Sequence, residues 1–203
     1  MEMDLDALLA FLHLAERLKG APRHCFTTSG APESVAAHAW RLALLAWLLA
    51  GEQPDVDMRR VVELALVHDL GEAVTGDIPS FAKTERDERV EADALAGIAE
   101  LAPAGRRAAL AALFAEWEAQ RTREARFCRA LDKLEAAIAH NESDIGTWLP
   151  LEYALNPVYG AEEAAEFPCL ARLQARIRRD ALKKIGRHTA AERKDHDGVG
   201  SLF

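Results

Sequence analysis

The sequence predicts an all-α protein. Runs in which Val, Ile and aromatic residues alternate with polar ones, the pattern of a half-buried strand, are absent. Alanine and leucine dominate instead, and apolar residues recur every three or four positions, which is the spacing of one helix face. The 203 residues are enough for one domain with a sizeable core.

Capping residues and helix breakers bound seven predicted helices. Gly20 and Gly51 each follow a periodic apolar segment, where glycine commonly ends a helix. Thr84 is a predicted N-cap, with Asp87 in the first turn that follows it. In chain order the predicted helices cover residues 4–19, 34–50, 55 or 57 to 73, 85–102, 104–120, 122–145 and 168–185.

The remaining segments are predicted to be loops and a tail. Residues 21–32 are rich in Pro, Thr, Ser and Gly, and the segment VTGDIPSFAK follows the third helix. Two prolines and two glycines mark residues 146–160 as a loop or short turns. Residues 186–203 are polar and are predicted to form a flexible tail after a single domain over residues 1–185.

Composition limits the class of function and the compartment. The net charge is -8 with Lys and Arg scattered among the acids, which argues against a nucleic-acid polymer as partner. Cys25, Cys128 and Cys169 form no CxxC pair, and free thiols fit a reducing cytoplasm. The first residues carry acids where a signal peptide carries bases, and the apolar run 42–50 is too short to cross a bilayer. We therefore expect a cytoplasmic protein without a membrane partner.

The third predicted helix carries a group of polar residues on an inward face. At roughly 100° per residue, His68, Asp69 and Glu72 fall within one arc and share it with Val61 and other apolar residues. An imidazole and two carboxylates facing the core are costly unless something compensates them, and a divalent cation would do so. Gly76 then ends the helix and places Asp77 beside the same face. A lone His-Asp pair is more often structural, so a second inward histidine matters.

His38 and Asp132 complete a candidate metal site. His38 lies on the apolar stripe of the second helix, where a histidine alone is more often a core residue bonded to a carbonyl. Asp132 lies beside the stripe Phe127, Leu131, Leu134 and Ile138, and alone it would be read as a surface acid. Two imidazoles and two carboxylates suit a divalent ion with open coordination positions, such as Mn, Co, Fe, Ni, Zn or Mg.

Three separated motifs resemble those of a known family. The segments PESVAAH, LALVHDLGEAVTGDIPS and RALDKLEAAI occur in this order. They resemble the HD-domain phosphohydrolase superfamily, and within it the subgroup of 5'-deoxynucleotidases. The resemblance runs from about Leu18 to Ile138 and implies an HD-domain helical bundle. It also implies removal of phosphate from deoxyribonucleoside 5'-monophosphates, with a small nucleotide as the partner.

The resemblance assigns roles to individual residues. It makes His38, His68, Asp69 and Asp132 the metal ligands and Glu72 the catalytic carboxylate. It places Asp77 at the sugar, Arg23 on the phosphate, and a second cation of some relatives at Glu72, Asp77 and the carbonyl of Ile78. Relatives carry a tryptophan after the arginine, whereas His24, Cys25 and Phe26 stand here. Stacking on the nucleoside would therefore pass to His24 or Phe26. Ala37 replaces an acid that relatives often carry before the first histidine.

The sequence leaves two alternatives to a 5'-deoxynucleotidase open. The same ligands could serve hydrolysis of another nucleotide or phosphoester, or the bundle could be a non-catalytic nucleotide-binding module. Glu72 favours an enzyme, because binding alone does not require an acid beside the attacking water. Relatives are often dimers, and the candidate residues for a homodimer interface are Trp117, Trp148 and Tyr153.

Overall fold

The computed structural model describes residues 3–78 and 84–199, without the side chains of residues 85, 88 and 192–199. Ten α-helices occur in this part of the chain. They are α1 Leu5–Glu16, α2 Val35–Leu48, α3 Met58–Val67, α4 Glu72–Thr75, α5 Glu85–Leu101, α6 Ala104–Ala119, α7 Arg123–Glu142, α8 Glu152–Leu155, α9 Ala161–Ala164 and α10 Pro168–Val199. Short 3-10 turns cover Arg17–Lys19, Ile145–Thr147 and Asn156–Val158. The all-α prediction is confirmed. The loop predicted after the third helix lies partly outside the described residues.

A small two-stranded sheet stands where the sequence predicted a loop. Strand β1, Pro22–Phe26, pairs antiparallel with β2, Pro32–Ser34. This sheet is hard to predict from the sequence, since the strands are short and each begins with proline. The turn between them is closed by the Thr27 amide, which donates to the carbonyl of Ala31 at 2.8 Å. The hairpin leads directly into α2, whose N-cap is Ser34.

The predicted helix starts are confirmed by their caps. Ser34, Thr84 and Thr122 each accept a hydrogen bond from a backbone amide of the following first turn. Thr84 and Asp87 form a reciprocal capping box, with Asp87 accepting from the Thr84 backbone amide at 2.9 Å. Asp57 caps α3, which decides between the two predicted starts of that helix.

The third helix is shorter than predicted. It ends at Val67, and the chain then tightens into turns before α4 begins at Glu72. The Leu70 amide donates to the carbonyl of Val67, three residues back, as in a 3-10 turn. A Cβ at Gly71 would lie 3.0 Å from Cγ of Glu91 on α5, so a larger residue in this turn would require the Glu91 side chain to shift. His68, Asp69 and Glu72 therefore meet through a bent segment rather than along one regular helix.

Helix α7 lies at the centre of the larger apolar core. Phe127, Leu131 and Leu134 are fully buried among residues of α2, α3 and α10. A second apolar cluster lies under α1, α5 and α6. None of the described helices is long and apolar enough to cross a membrane.

The last helix and the aromatic surface differ from expectation. Helix α10 continues to Val199, so residues 186–199, predicted as a flexible tail, are helical, because one interior glycine costs only about 1 kcal/mol. Trp117 and Trp148 are buried, and Tyr153 packs against Trp148. The assignment of Trp117 and Trp148 to an exposed interface is therefore wrong, while Tyr153 is half-buried. The exposed tryptophans are Trp40 and Trp47 on α2.

Candidate metal and substrate site

The four predicted metal ligands come together from three parts of the chain. His38 lies on α2, His68 caps the end of α3 with Asp69 next to it, and Asp132 lies on α7. Nε2 of His38 is 3.0 Å from Oδ1 of Asp132, and Nε2 of His68 is 3.1 Å from Oδ2 of Asp69. The crossed distances are 3.8 Å from His38 to Asp69 and 3.9 Å from His68 to Asp132. His38, His68 and Asp69 each offer one potential metal-ligand atom, and these three atoms lie within 4.8 Å of one another.

Hydrogen bonds turn both imidazole rings so that Nε2 faces this group. Nδ1 of His68 donates to the carbonyl of Ala65 at 3.0 Å, and Nδ1 of His38 is bonded to the carboxylate of Glu135. Both Nε2 atoms are buried and have no well-formed hydrogen bond to a described residue. A protein that fixes Nδ1 in this way leaves Nε2 as a metal ligand. The donor set therefore fits a divalent cation.

The carboxylates beside His38 stabilise its protonated form, so a proton competes with such a cation for this imidazole. Burial lowers the pKa of His38, but the adjacent carboxylates of Asp132 and Glu135 outweigh burial and raise this pKa to about 10. Burial raises the pKa of Asp132, but the adjacent His38 outweighs burial and holds the pKa of Asp132 below its usual range. Because a ligand imidazole must be neutral, metal binding would release this proton.

Glu135, which was not predicted from the sequence, orients the His38 ring through a hydrogen bond at Nδ1. Its carboxylate is 1% exposed and accepts hydrogen bonds from His38 and from Nε of Arg41. Arg23 lies 3.6 Å from the same carboxylate and donates to Glu33 at 3.0 Å. A cluster of Glu33, His38 and Glu135 is close enough to hold a cation, but the two guanidinium groups already balance its carboxylates.

Glu72 and Asp77 lie beside the four ligands, as predicted. Oε2 of Glu72 is buried without a hydrogen-bond partner among the described residues. Burial, followed by the charges of Asp69 and Asp77, raises the pKa of Glu72 to about 9. Gly76 has a φ of 75° and turns the chain so that Asp77 accepts a hydrogen bond from the His24 amide at 3.3 Å. Burial raises the pKa of Asp77, against the lowering effect of Arg23.

Asp69, Glu72, Asp77 and Asp132 line one end of a cavity of about 380 Å³, a size typical of small-molecule sites. The cavity follows α7, because Asp132, Ala136 and His140, spaced by four residues, all line it. Arg23, His24 and Ile78 line it as well. Phe26 is not among the lining residues, so its predicted stacking on the nucleoside has no geometric support.

The other end of the cavity contains a buried carboxylate between two histidines. Oε1 of Glu152 lies 2.9 Å from Nε2 of His140 and 3.3 Å from Nε2 of His24. Its Oε2 accepts a hydrogen bond from the Leu149 amide at 2.6 Å. Burial lowers the pKa of His140, against the raising effect of Glu152. Glu152 was missed because it lies in a segment predicted as a loop, whereas the spacing of His140 from Asp132 was a usable signal.

The fold and the site together define a class of protein: a helical bundle with a group of histidines and carboxylates that fits a divalent cation, beside a cavity of small-molecule size. The family model described as HD domain matches residues 15–169, and the chain belongs to this family. This confirms the HD-domain helical bundle that the three sequence motifs implied.

Proteins of known sequence and structure agree with this assignment. The chain is 36% identical over 140 residues to the 5'-deoxynucleotidase HDDC2 of Homo sapiens, which is 67% of this chain and 68% of that protein. It is 32% identical over 137 residues to the 5'-deoxynucleotidase hdd1 of Schizosaccharomyces pombe, 64% of this chain and 68% of that protein. The crystal structure of a predicted metal-dependent phosphohydrolase from Magnetospirillum magnetotacticum MS-1 matches with a TM-score of 0.73 and 29% identity, covering 91% and 96% of the two chains.

Proposed function

We propose that this protein is a metal-dependent 5'-deoxynucleotidase, which hydrolyses deoxyribonucleoside 5'-monophosphates to a nucleoside and phosphate. The observation that carries the proposal is the pair of buried Nε2 atoms, on His38 and His68, beside two carboxylates at the base of one cavity. Curated relatives with this activity, at 32–36% identity, support the substrate class.

His38, His68, Asp69 and Asp132 would hold the divalent cation. When bound, such a cation acts as a Lewis acid toward a phosphoryl oxygen and the attacking water. Imidazole and carboxylate ligands suit Mn, Co, Fe, Ni, Zn or Mg, and we propose no single ion. The family resemblance is the basis for proposing a second cation at Glu72, Asp77 and the carbonyl of Ile78.

Glu72 is the proposed proton donor. Its raised pKa keeps a proton on the carboxyl near neutral pH, and it lies between the metal ligands and Asp77. A carboxylic acid in this position can protonate the leaving 5' oxygen of the sugar. A non-catalytic nucleotide-binding module would have no use for such a group, which favours the enzyme over that alternative.

Arg23 and Asp77 are proposed to orient the substrate. Burial lowers the pKa of Arg23, but the charges of Glu135, Asp132 and Asp69 outweigh burial and raise it. Arg23 would contact the phosphate, while Asp77, held by the His24 amide, would accept a hydrogen bond from the sugar. A phosphate at the 3' position would meet the Asp77 carboxylate, and like charges repel strongly in a poorly solvated site.

The proposal also covers the binding partner, the cellular compartment and the oligomeric state. A net charge of -8 supports a small nucleotide rather than a nucleic-acid polymer as the partner. The buried free thiols of Cys25, Cys128 and Cys169 support a reducing, cytoplasmic compartment. A homodimer, expected from the resemblance, would use a surface other than Trp117 and Trp148, and light scattering of the purified protein would test it.

A panel of nucleotides tests the activity. Protein loaded in turn with each divalent ion should release phosphate from dAMP and other 5'-monophosphates, with little release from 3'-dAMP. A comparison of dAMP with AMP measures selectivity for deoxyribose. Equal rates on the 5' and 3' isomers would contradict the proposed pocket. Release only from nucleoside triphosphates or cyclic dinucleotides would favour another phosphohydrolase activity instead.

A further inference from the structure

Arg129 is a cation of the cavity wall that the proposed mechanism does not use. It lies on α7, one turn before the metal ligand Asp132, and lines the same cavity. Its guanidinium carbon is 4.3 Å from the centre of the Trp117 ring system. Trp117 in turn packs against the ligand His68, with ring centres 4.8 Å apart. A stack on Trp therefore fixes the guanidinium beside the metal centre.

The guanidinium of Arg129 forms no salt bridge in the part of the chain that the structure describes. Its Nε atom is buried without a hydrogen bond, and no salt bridge joins it to Glu118, an acid that lines the same cavity. By contrast, Arg23 and Arg41 are each paired with glutamates. A half-buried donor without a partner is unfavourable, which is consistent with an anion supplied by a ligand.

The position of Arg129 along α7 indicates which part of the ligand it meets. Asp77, His24 and Glu152 lie toward the sugar and base, and His140 is about 12 Å beyond Asp132 along the helix axis. Arg129 lies about 4.5 Å from Asp132 in the opposite direction. It is therefore on the side of the metal centre that faces away from the nucleoside, where only phosphoryl oxygens of a 5'-monophosphate would lie.

We propose that Arg129 is a substrate-binding residue that donates hydrogen bonds to the phosphoryl oxygens pointing away from the sugar. This inference rests on the proposed function. The phosphate would then contact two arginines in different electrostatic surroundings. Arg23 is partly neutralised by Glu33 and also lies near Glu135, whereas Arg129 forms no salt bridge with a described residue and its Nε has no hydrogen bond.

The experiment compares Arg129→Met and Arg129→Lys with a matched control, Arg126→Met, in the metal-loaded protein. Arg126 is on the same helix but pairs with Glu166 and does not line the cavity. Kinetics with dAMP give kcat and KM, and calorimetry gives the dissociation constant of inorganic phosphate. Since a charged hydrogen bond is lost, kcat/KM and phosphate affinity should fall on the order of 10- to 100-fold in Arg129→Met. Arg129→Lys should recover part of the loss, and Arg126→Met should match the parent.

Three results would overturn the inference. The first is an Arg129→Met variant, folded by circular dichroism, whose KM and phosphate affinity equal those of the parent. If that variant does not fold, an Arg129→Lys variant with a proportionate loss of phosphate affinity and thermal stability would assign Arg129 a structural role only. The third is a loss confined to dADP as an inhibitor, which would place Arg129 at a second phosphate. The calorimetric comparison does not depend on turnover. A parent that binds phosphate through Arg129 but hydrolyses no monophosphate would therefore contradict the proposed function alone.

Discussion

Removing the Glu135 carboxylate should destabilise the protein far more than removing a neighbouring exposed acid. Glu135 is 1% exposed and bonded to His38 and Arg41, so Glu135→Ala removes the carboxylate that the fully buried His38 and the part-buried Arg41 share. Breaking a buried pair in this way costs about 3–5 kcal/mol, out of a total stability of about 5–15 kcal/mol. Glu142 also bonds Arg41, at 2.6 Å, but its side chain is 48% exposed. Glu142→Ala should therefore cost at most about 1 kcal/mol.

Urea unfolding of the metal-free variants measures both values. Glu135→Gln adds a second test, because it keeps the shape of the side chain while removing the charge that holds the His38 ring. It should lower metal affinity by about 10- to 100-fold, the usual effect of losing a group that orients a metal ligand, in a competition titration with a chelator. Equal small losses of stability in Glu135→Ala and Glu142→Ala would contradict the stabilising role of Glu135. Unchanged metal affinity in Glu135→Gln would contradict its role in holding the His38 ring.

Three further predictions concern the site and one glycine. Asp69→Ala should lose both bound metal and activity, because it removes a charged ligand; stoichiometric metal by elemental analysis would exclude Asp69 as a necessary ligand. Glu72→Gln should retain the metal but lose turnover by a factor on the order of 10²–10⁴, and full activity in rapid-quench assays would contradict its role. Gly160 has a φ of 68°, and a Cβ there would lie 2.9 Å from Cβ of Lys133 on α7. Gly160→Ala should therefore cost about 1–3 kcal/mol. The control Gly97→Ala, in open space inside α5, should gain up to about 1 kcal/mol, and urea unfolding measures both glycine variants.

The group of His38, His68, Asp69 and Asp132 could be predicted from sequence because the signals of its members are local. His38 interrupts an apolar helix stripe, and His68 with Asp69 does the same near the end of another. The prediction of one regular helix through Glu72 was wrong, since the chain turns at residues 68–71 to approach α5. Glu72 still lies beside the site, because the turn and α4 keep it close to Asp69.

The residues that were missed depend on tertiary contacts. Glu135 looks like any acid on a charged helix until α2 brings His38 and Arg41 against it. Glu152 becomes part of the cavity only because a short helix in a proline-containing segment packs beside β1 and α7. The strands β1 and β2 were missed because their pairing, and not their composition, defines them.

We propose that a cation and a nucleotide phosphate meet at the His38, His68, Asp69 and Asp132 group. Anomalous diffraction from crystals of Glu72→Gln soaked with Mn²⁺ and dAMP tests this proposal. We expect one peak in contact with Nε2 of both histidines and both aspartates, with the phosphate of dAMP beside it and the sugar near Asp77. A peak at the Glu33 and Glu135 cluster, or dAMP bound outside this cavity, would contradict the proposal.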